Sequence, residues 1–329
     1  MVVARLSRTM PESSPPRSRF SIWHIVGTLA ALGLLVYLFS QQGWQEIGQT
    51  FSAIPLWRLA LALGLTLVSR LAVAGRWHVL LVSADLEISF WQSLQITFAG
   101  LFASQFLPTT VGGDVVRLAG AIRLRMDRAV CLASLIVDRL VGMAGMGMAA
   151  VGLFFYLPDL MARIRLGGEA DSPLNQFMLA SAALPAAAGW LGKVKDWVLR
   201  GLRRLWQVVA LWLSRPKALL LALGFTWVHM LCVFGSISLF LPPLKESMPF
   251  GLVAGLWSLT YFVTLLPISL NGLGVQELSI TFFFHKFGGI QMSSALTIAL
   301  LLRILPMFAS LPGALTIPGL LAGQKEAKP

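Results

Sequence analysis

Leu107-Pro108-Thr109-Thr110-Val111-Gly112-Gly113-Asp114-Val115-Val116-Arg117 breaks an otherwise apolar run with a proline, two glycines and two charges. A second stretch repeats its order: Leu266-Pro267-Ile268-Ser269-Leu270-Asn271-Gly272-Leu273-Gly274-Val275-Gln276-Glu277. Both begin Leu-Pro, carry two glycines and end on a charge, Arg117 or Glu277. Each closes an apolar run, one starting at Phe90 and the other at Phe250. We read the two breaks as the tips of re-entrant helical hairpins. Such backbone is tolerated at membrane depth only when it is buried in protein or lines a wet cavity.

The composition sets that reading in a membrane. Of 329 residues, 57% are hydrophobic and 12% charged, and the mean hydropathy is +0.76. A soluble domain carries about 25% charged residues. Apolar runs of about twenty residues, the length of a spanning helix, recur along the chain. The expected class is an all-α polytopic membrane protein with no separate soluble domain. Its net charge of +12 follows membrane topology, so no nucleic-acid partner is expected. Cys131 and Cys232 lie far apart in apolar runs and are read as packing residues. No histidines, cysteines and carboxylates fall at metal-ligand spacing, so neither metal nor cofactor is expected.

Residues 1–20 are polar and basic, which predicts a disordered cytoplasmic N-terminus. The run 21–40 is read as the first span. It is long for a signal-peptide core and lacks a small-x-small cleavage site. The second span covers about 56–82, contains Arg70 and closes on Arg76-Trp77, read as an interfacial anchor.

The run Phe90–Leu107 then decides the topology. Were it a full crossing, Arg117, Arg123, Arg125 and Arg128 would lie outside, as would the basic stretch 193–217. A hairpin that dips in and returns keeps both stretches cytoplasmic, as the positive-inside rule asks. Further spans follow at about 129–157, at 174–191 (interrupted by Pro185) and at 217–241, where His229 reads as a satisfied interior histidine. Residues 193–213 form an amphipathic cytoplasmic helix, suited to anionic lipid or alternatively to a partner protein. The second hairpin covers 250–266 and 275–287, and a last span covers about 293–316. The tail 322–329 is cytoplasmic. This makes one transmembrane domain over 21–321, with about six full transmembrane helices, in a bacterial cytoplasmic membrane.

Units 88–157 and 248–321 match as repeats. Each runs from an apolar arm through a tip to a span bearing an arginine, Arg139 or Arg303. An odd number of crossings separates the tips, so the second unit enters from the opposite face. Inverted repeats with broken helices are the geometry of alternating-access carriers, whose site lies near the midplane.

A charge at mid-bilayer costs about 2.5–3.5 kcal/mol on insertion scales, so the charged residues near the tips must pair or face water. The candidate binding residues are Gly112, Gly113, Asp114, Arg117, Asp138, Arg139, Asn271, Gly272, Gly274, Glu277 and Arg303. Arg139 and Arg303 are expected to meet Glu277 and Asp114 across the pseudo-symmetry axis. The glycines are expected to let the backbone turn sharply and approach a ligand. The arginines suit phosphate oxygens. A buried ion-pair network that only locks the repeats together is the alternative. Asp114 is the one attractive acid–base candidate and has no histidine near it in sequence, so no catalytic residue is assigned.

Three motifs carry a resemblance: Leu-Pro-x-x-x-Gly-Gly-Asp-Val-Val-Arg at 107–117, Asp-Arg-Leu-Val-Gly at 138–142 and Asn-Gly-Leu-Gly-Val-Gln-Glu at 271–277. With these the chain resembles the flippase-type transmembrane domain of bacterial lysylphosphatidylglycerol synthetases and related stand-alone proteins. It departs at Asp138, where that family commonly has glutamate, and at Asn271, where it often has glycine. The resemblance implies transfer of a membrane lipid between leaflets. No soluble transferase domain follows in this sequence, so a lipid-modifying enzyme is expected to be a separate chain. A small-anion carrier and a membrane subunit or scaffold of a lipid-modifying transferase are the competing readings.

Overall fold

The structure is a computed structural model that describes residues 44–106, 112–156, 212–266 and 272–316, with isolated residues 29, 33, 36, 37 and 158. Both tips (107–111 and 267–271, which include Asn271), the expected span 174–191 and the tail lie outside the described residues. So do most of the expected span 21–40 and of the amphipathic stretch 193–213.

The described residues are helical, with no strand among them. In chain order the helices are α1 (Trp44–Ser52), α2 (Leu56–Ser83), α3 (Phe90–Phe106), α4 (Gly112–Arg123) and α5 (Arg128–Val151), which runs into a 3-10 turn (Gly152–Tyr156). There follow α6 (Pro216–Phe240), α7 (Phe250–Thr264), α8 (Val275–Lys286) and α9 (Met292–Ser310). Length sorts them. At 1.5 Å per residue, the 25 residues of α6 extend about 37 Å, beyond the roughly 30 Å of a hydrocarbon core. The 17 residues of α3 reach about 25 Å, and the 12 residues of α8 only about 18 Å. Among the described residues, four stretches are long and apolar enough to cross a membrane: Leu56–Ser83, Arg128–Val151, Pro216–Leu244 and Met292–Thr316. Leu61, Leu67, Val68 and Leu71 on α2, and Leu220, Leu221, Val228 and Leu231 on α6, are exposed, as expected of lipid-facing positions.

Side-chain contacts fix the direction of each helix. Antiparallel pairing of α2 and α6 follows from Arg58 donating to the Leu239 carbonyl (2.8 Å), Ser69 meeting His229 (2.6 Å) and Arg76 donating to Thr226 (3.2 Å). At the C-terminal end of α2, Trp212 Nε1 donates to the Leu80 carbonyl (3.2 Å) and to Ser83 Oγ (3.0 Å), while Arg215 bridges Asp85. The Arg215 guanidinium holds the exposed Asp85 carboxyl below the usual carboxylate range, so this tie persists at neutral pH and is lost only as pH falls through that lowered value.

The short helices form two antiparallel pairs. In α3 and α4, Gly100 faces Gly113 and Arg117, while Ile96 faces Gly120. Leu86 and Ile88, before α3, pack in one cluster with Met126, after α4. This pair therefore begins and ends where α2 finishes. In α7 and α8, Thr264 is nearest to Gly272 and Met248 to Gly288, and the Gln291 amide donates to Glu246 Oε1 (2.9 Å). The second pair begins and ends where α6 finishes, at the opposite end of the α2–α6 pair.

The glycines of the first pair do not turn the chain. Gly112 and Gly113 are helical and open α4, and neither has positive φ. Gly113 instead permits contact: a Cβ there would lie 2.5 Å from the Gly100 carbonyl oxygen, and one on Gly100 would lie 2.7 Å from the Gly113 carbonyl oxygen. In the second pair, Gly272 (φ 68) and Gly274 (φ 76) do adopt the left-handed backbone that glycine favours. Gly113→Ala is therefore expected to destabilise the protein by about 1–3 kcal/mol through overpacking. Gly147→Ala in α5, where an added Cβ would meet nothing within 4 Å beyond its own helix backbone, should be neutral or slightly stabilising. Thermal unfolding of both variants in detergent micelles makes the comparison.

Candidate functional site

The central feature is a cluster of buried ions contributed by α2, α4 and α5. Asp138 is 1% exposed. Arg76 engages it with two nitrogens, Nε to Oδ1 at 2.7 Å and Nη2 to Oδ2 at 3.2 Å. Arg117 Nη1 lies 3.2 Å from Asp138 Oδ2 and 3.2 Å from Asp114 Oδ1, joining the two carboxylates. Arg139 donates to Asp114 Oδ2 from Nε (2.9 Å) and Nη2 (2.7 Å). The Arg117 guanidinium lies over the Trp77 ring at 4.4 Å. Trp77 is itself held by an Nε1 bond to Ser134 Oγ (3.1 Å). Arg117 Nε and Nη2 are buried without a hydrogen-bond partner.

A second ion pair joins α8 and α9: Arg303 Nε donates to Glu277 Oε1, and Arg303 Nη2 donates to the Gly272 carbonyl at 3.2 Å. Glu277 is buried, and its Oε2 has no partner. Asp114 and Glu277 both occupy the first turn of a returning helix, where a carboxylate also meets the helix dipole favourably.

Two expectations change here. The arginine–carboxylate pairs form within each repeat unit, Arg139 with Asp114 and Arg303 with Glu277, and not across the pseudo-symmetry axis. The reason is adjacency, because each acid opens the short helix that is followed by the arginine-bearing span. Arg76 is no interfacial anchor. It is 8% exposed and pairs with Asp138. The apolar Val79-Leu80-Leu81-Val82 beyond it was the sign that the span continues, and α2 does run on to Ser83. His229 is an interior histidine, as read from the sequence, and its partner is Ser69 Oγ at 2.6 Å.

These ions line space. A cavity of about 270 Å³ is bounded by Arg76, Gly113, Asp114, Arg117, Asp138 and Arg139, with Gly100, Thr226, His229 and Tyr261 among the rest of its wall. Three guanidinium groups there face two carboxylates. The Arg139 side chain is 46% exposed and Asp114 16%, so the α4–α5 pair is the accessible part of the cluster and Asp138 the sealed part. A second cavity of about 210 Å³ adjoins the first, with Met146, His229 and Tyr261 lining both. Arg303 lines the second cavity, not the first. Gly272 and Gly274 carry the turn into α8. Asn271 lies outside the described residues.

Residues 24–313 match the family described as lysylphosphatidylglycerol synthase TM region. That span is most of the chain, and the protein belongs to this family. None of the curated proteins compared with the chain matches it.

Proposed function

We propose that this member of the family moves a phosphate-bearing or modified lipid between leaflets, with the headgroup held in the first cavity. The observation that carries the reading is the cavity's charge: three guanidinium groups against two carboxylates, walled by helices that are apolar on their outer faces. A surplus cation in such a place favours an anionic group, and the planar fork of arginine suits phosphate oxygens. The α3–α4 and α7–α8 pairs are proposed as hairpins entering from opposite faces, the two halves of an inverted repeat. Their bases at opposite ends of the α2–α6 pair support this. A span over 174–191 lies outside the described residues. That α5 ends and α6 begins at opposite ends of the bundle supports it.

In this reading the end bearing Arg123, Arg125, Arg128, Arg215 and Lys217 is cytoplasmic, in a bacterial inner membrane. On the same reading the transmembrane region moves its lipid without making or breaking bonds in it.

Reconstitution into liposomes with a fluorescent-headgroup lipid, quenched from outside by an impermeant reductant, tests the proposal. The wild type should expose inner-leaflet label to the quencher. Arg303→Ala should slow this at least tenfold, because it frees Glu277 as a buried, unpaired charge beside the path. An unchanged rate in folded R303A protein would make that pair structural. Flux of inorganic phosphate without lipid transfer would favour the small-anion carrier.

A further inference from the structure

The second cavity has a donor surplus that the first cluster does not explain. Its wall takes Arg70 from α2, Gln105 from α3, His229 from α6, Trp257 from α7, Gln276 from α8 and Arg303 from α9. Gln105 and Gln276 lie just before one tip and just after the other, so the cavity sits where the two short-helix pairs approach each other. Arg303 is matched by Glu277. Among the described residues, Arg70 forms no ion pair, and its Nε is buried without a hydrogen-bond partner. Trp257 Nε1 is buried in the same condition.

Both side chains can only donate. Ser69 Oγ and His229 Nδ1 are spent on each other at 2.6 Å. Two side chains with unpaired donors, one of them cationic, therefore stand in the wall of one cavity, on α2 and α7. Buried donors left unpaired are costly, so such a pair calls for an acceptor from outside the chain. An anion suits the site, because Arg70 is cationic and no carboxylate stands among the described residues of this cavity's wall, Glu277 being held by Arg303 through Oε1.

We propose that this cavity is a separate oxyanion subsite, in which Arg70 and Trp257 Nε1 hold a phosphoryl group. It deepens the transport reading and rests on it only for the source of that group, a lipid headgroup as opposed to free phosphate. The wall shared with the first cavity, Met146, His229 and Tyr261, makes the two subsites neighbours along one path between the tips.

The test measures binding, without transport. Purified full-length protein in non-ionic detergent is titrated with inorganic phosphate and, separately, with dihexanoyl phosphatidylglycerol, and the thermal midpoint is followed. The wild-type midpoint should rise with at least one probe. A response to both identifies the phosphoryl group itself, and a response to the short-chain lipid alone identifies the lipid. Arg70→Gln should weaken the apparent affinity at least tenfold, Arg70→Lys less, and Trp257→Phe several-fold. Lys217→Gln, which removes an exposed cation outside both cavities, should leave both responses at the wild-type level. Wild-type affinity for both probes in R70Q overturns the proposal, as does a wild-type protein whose midpoint neither probe moves. If R70Q does not fold, the outcome rests on W257F, which keeps the cation and loses only the Nε1 donor; undiminished affinity in W257F overturns the proposal. Oxyanion binding that persists while leaflet transfer fails would remove the transport reading and leave this one standing.

Discussion

Asp138→Leu is expected to destabilise the protein by about 3–5 kcal/mol, the cost of removing one partner from a buried ion pair. The carboxylate is 1% exposed and takes three hydrogen bonds, two from Arg76 and one from Arg117. Leucine has as many side-chain heavy atoms as aspartate and a somewhat larger volume, so the substitution opens no void. It does leave Arg76 with no carboxylate among the described residues, holding only Thr226 Oγ1 at 3.2 Å. Arg117 keeps Asp114 alone.

Two further variants separate pairing from packing. Arg76→Met should cost less than Asp138→Leu, because Asp138 retains Arg117. The double variant Arg76→Met/Asp138→Leu should be less destabilised than the sum of the two singles, with a coupling of about 0.5–3 kcal/mol. Denaturant or thermal unfolding in micelles gives all three numbers. Additivity within a few tenths of a kcal/mol would mean that the bidentate contact contributes nothing of its own.

How much of this was legible beforehand depended on the kind of information each residue carries. Helix positions were, because apolar runs such as 56–82, 217–241 and 250–266 read directly as helices. The Asp114–Arg117 contact was, because the two are one helical turn apart. Gly272 and Gly274 were read as turn glycines, and positive φ is what they have. The identical reasoning misplaced Gly112-Gly113, since a glycine needed for close contact with Gly100 looks no different in sequence from one needed for a turn. The partners of Arg139 and Arg303 were misassigned across the repeats, because a symmetry argument ranks equivalent positions and says nothing of distance. Arg76 was masked by the tryptophan after it, which mimics an interfacial anchor. Arg70 was visible as a charge inside a span, but that it forms no ion pair among the described residues shows only once the neighbouring carboxylates have been assigned to other arginines.

Arg139→Gln should have the opposite profile from Asp138→Leu: little loss of stability and a large loss of transfer. Arg139 pairs with Asp114 at 2.7 Å, but its side chain is 46% exposed, and ion pairs open to water contribute only about 0–1 kcal/mol. The same exposure makes its guanidinium the most open to a ligand of the three that line the first cavity, Arg76 and Arg117 being buried deeper in the same wall. A hydrogen bond to a charged group is worth about 1.5–3 kcal/mol, so its loss should slow lipid transfer roughly 10–150-fold in the liposome assay. Arg139→Lys keeps the charge but loses the two-nitrogen fork, and should fall between. Since Asp114 loses its accessible partner in R139Q, Asp114→Asn/Arg139→Gln serves as the control. If the effect comes from a stray carboxylate repelling an anionic headgroup, the double variant recovers much of the rate. If it comes from the lost cation, the double variant stays slow. Transfer at the wild-type rate in R139Q, with the midpoint unchanged, would exclude Arg139 from the headgroup site and return the cluster to the ion-pair lock that was its competing interpretation.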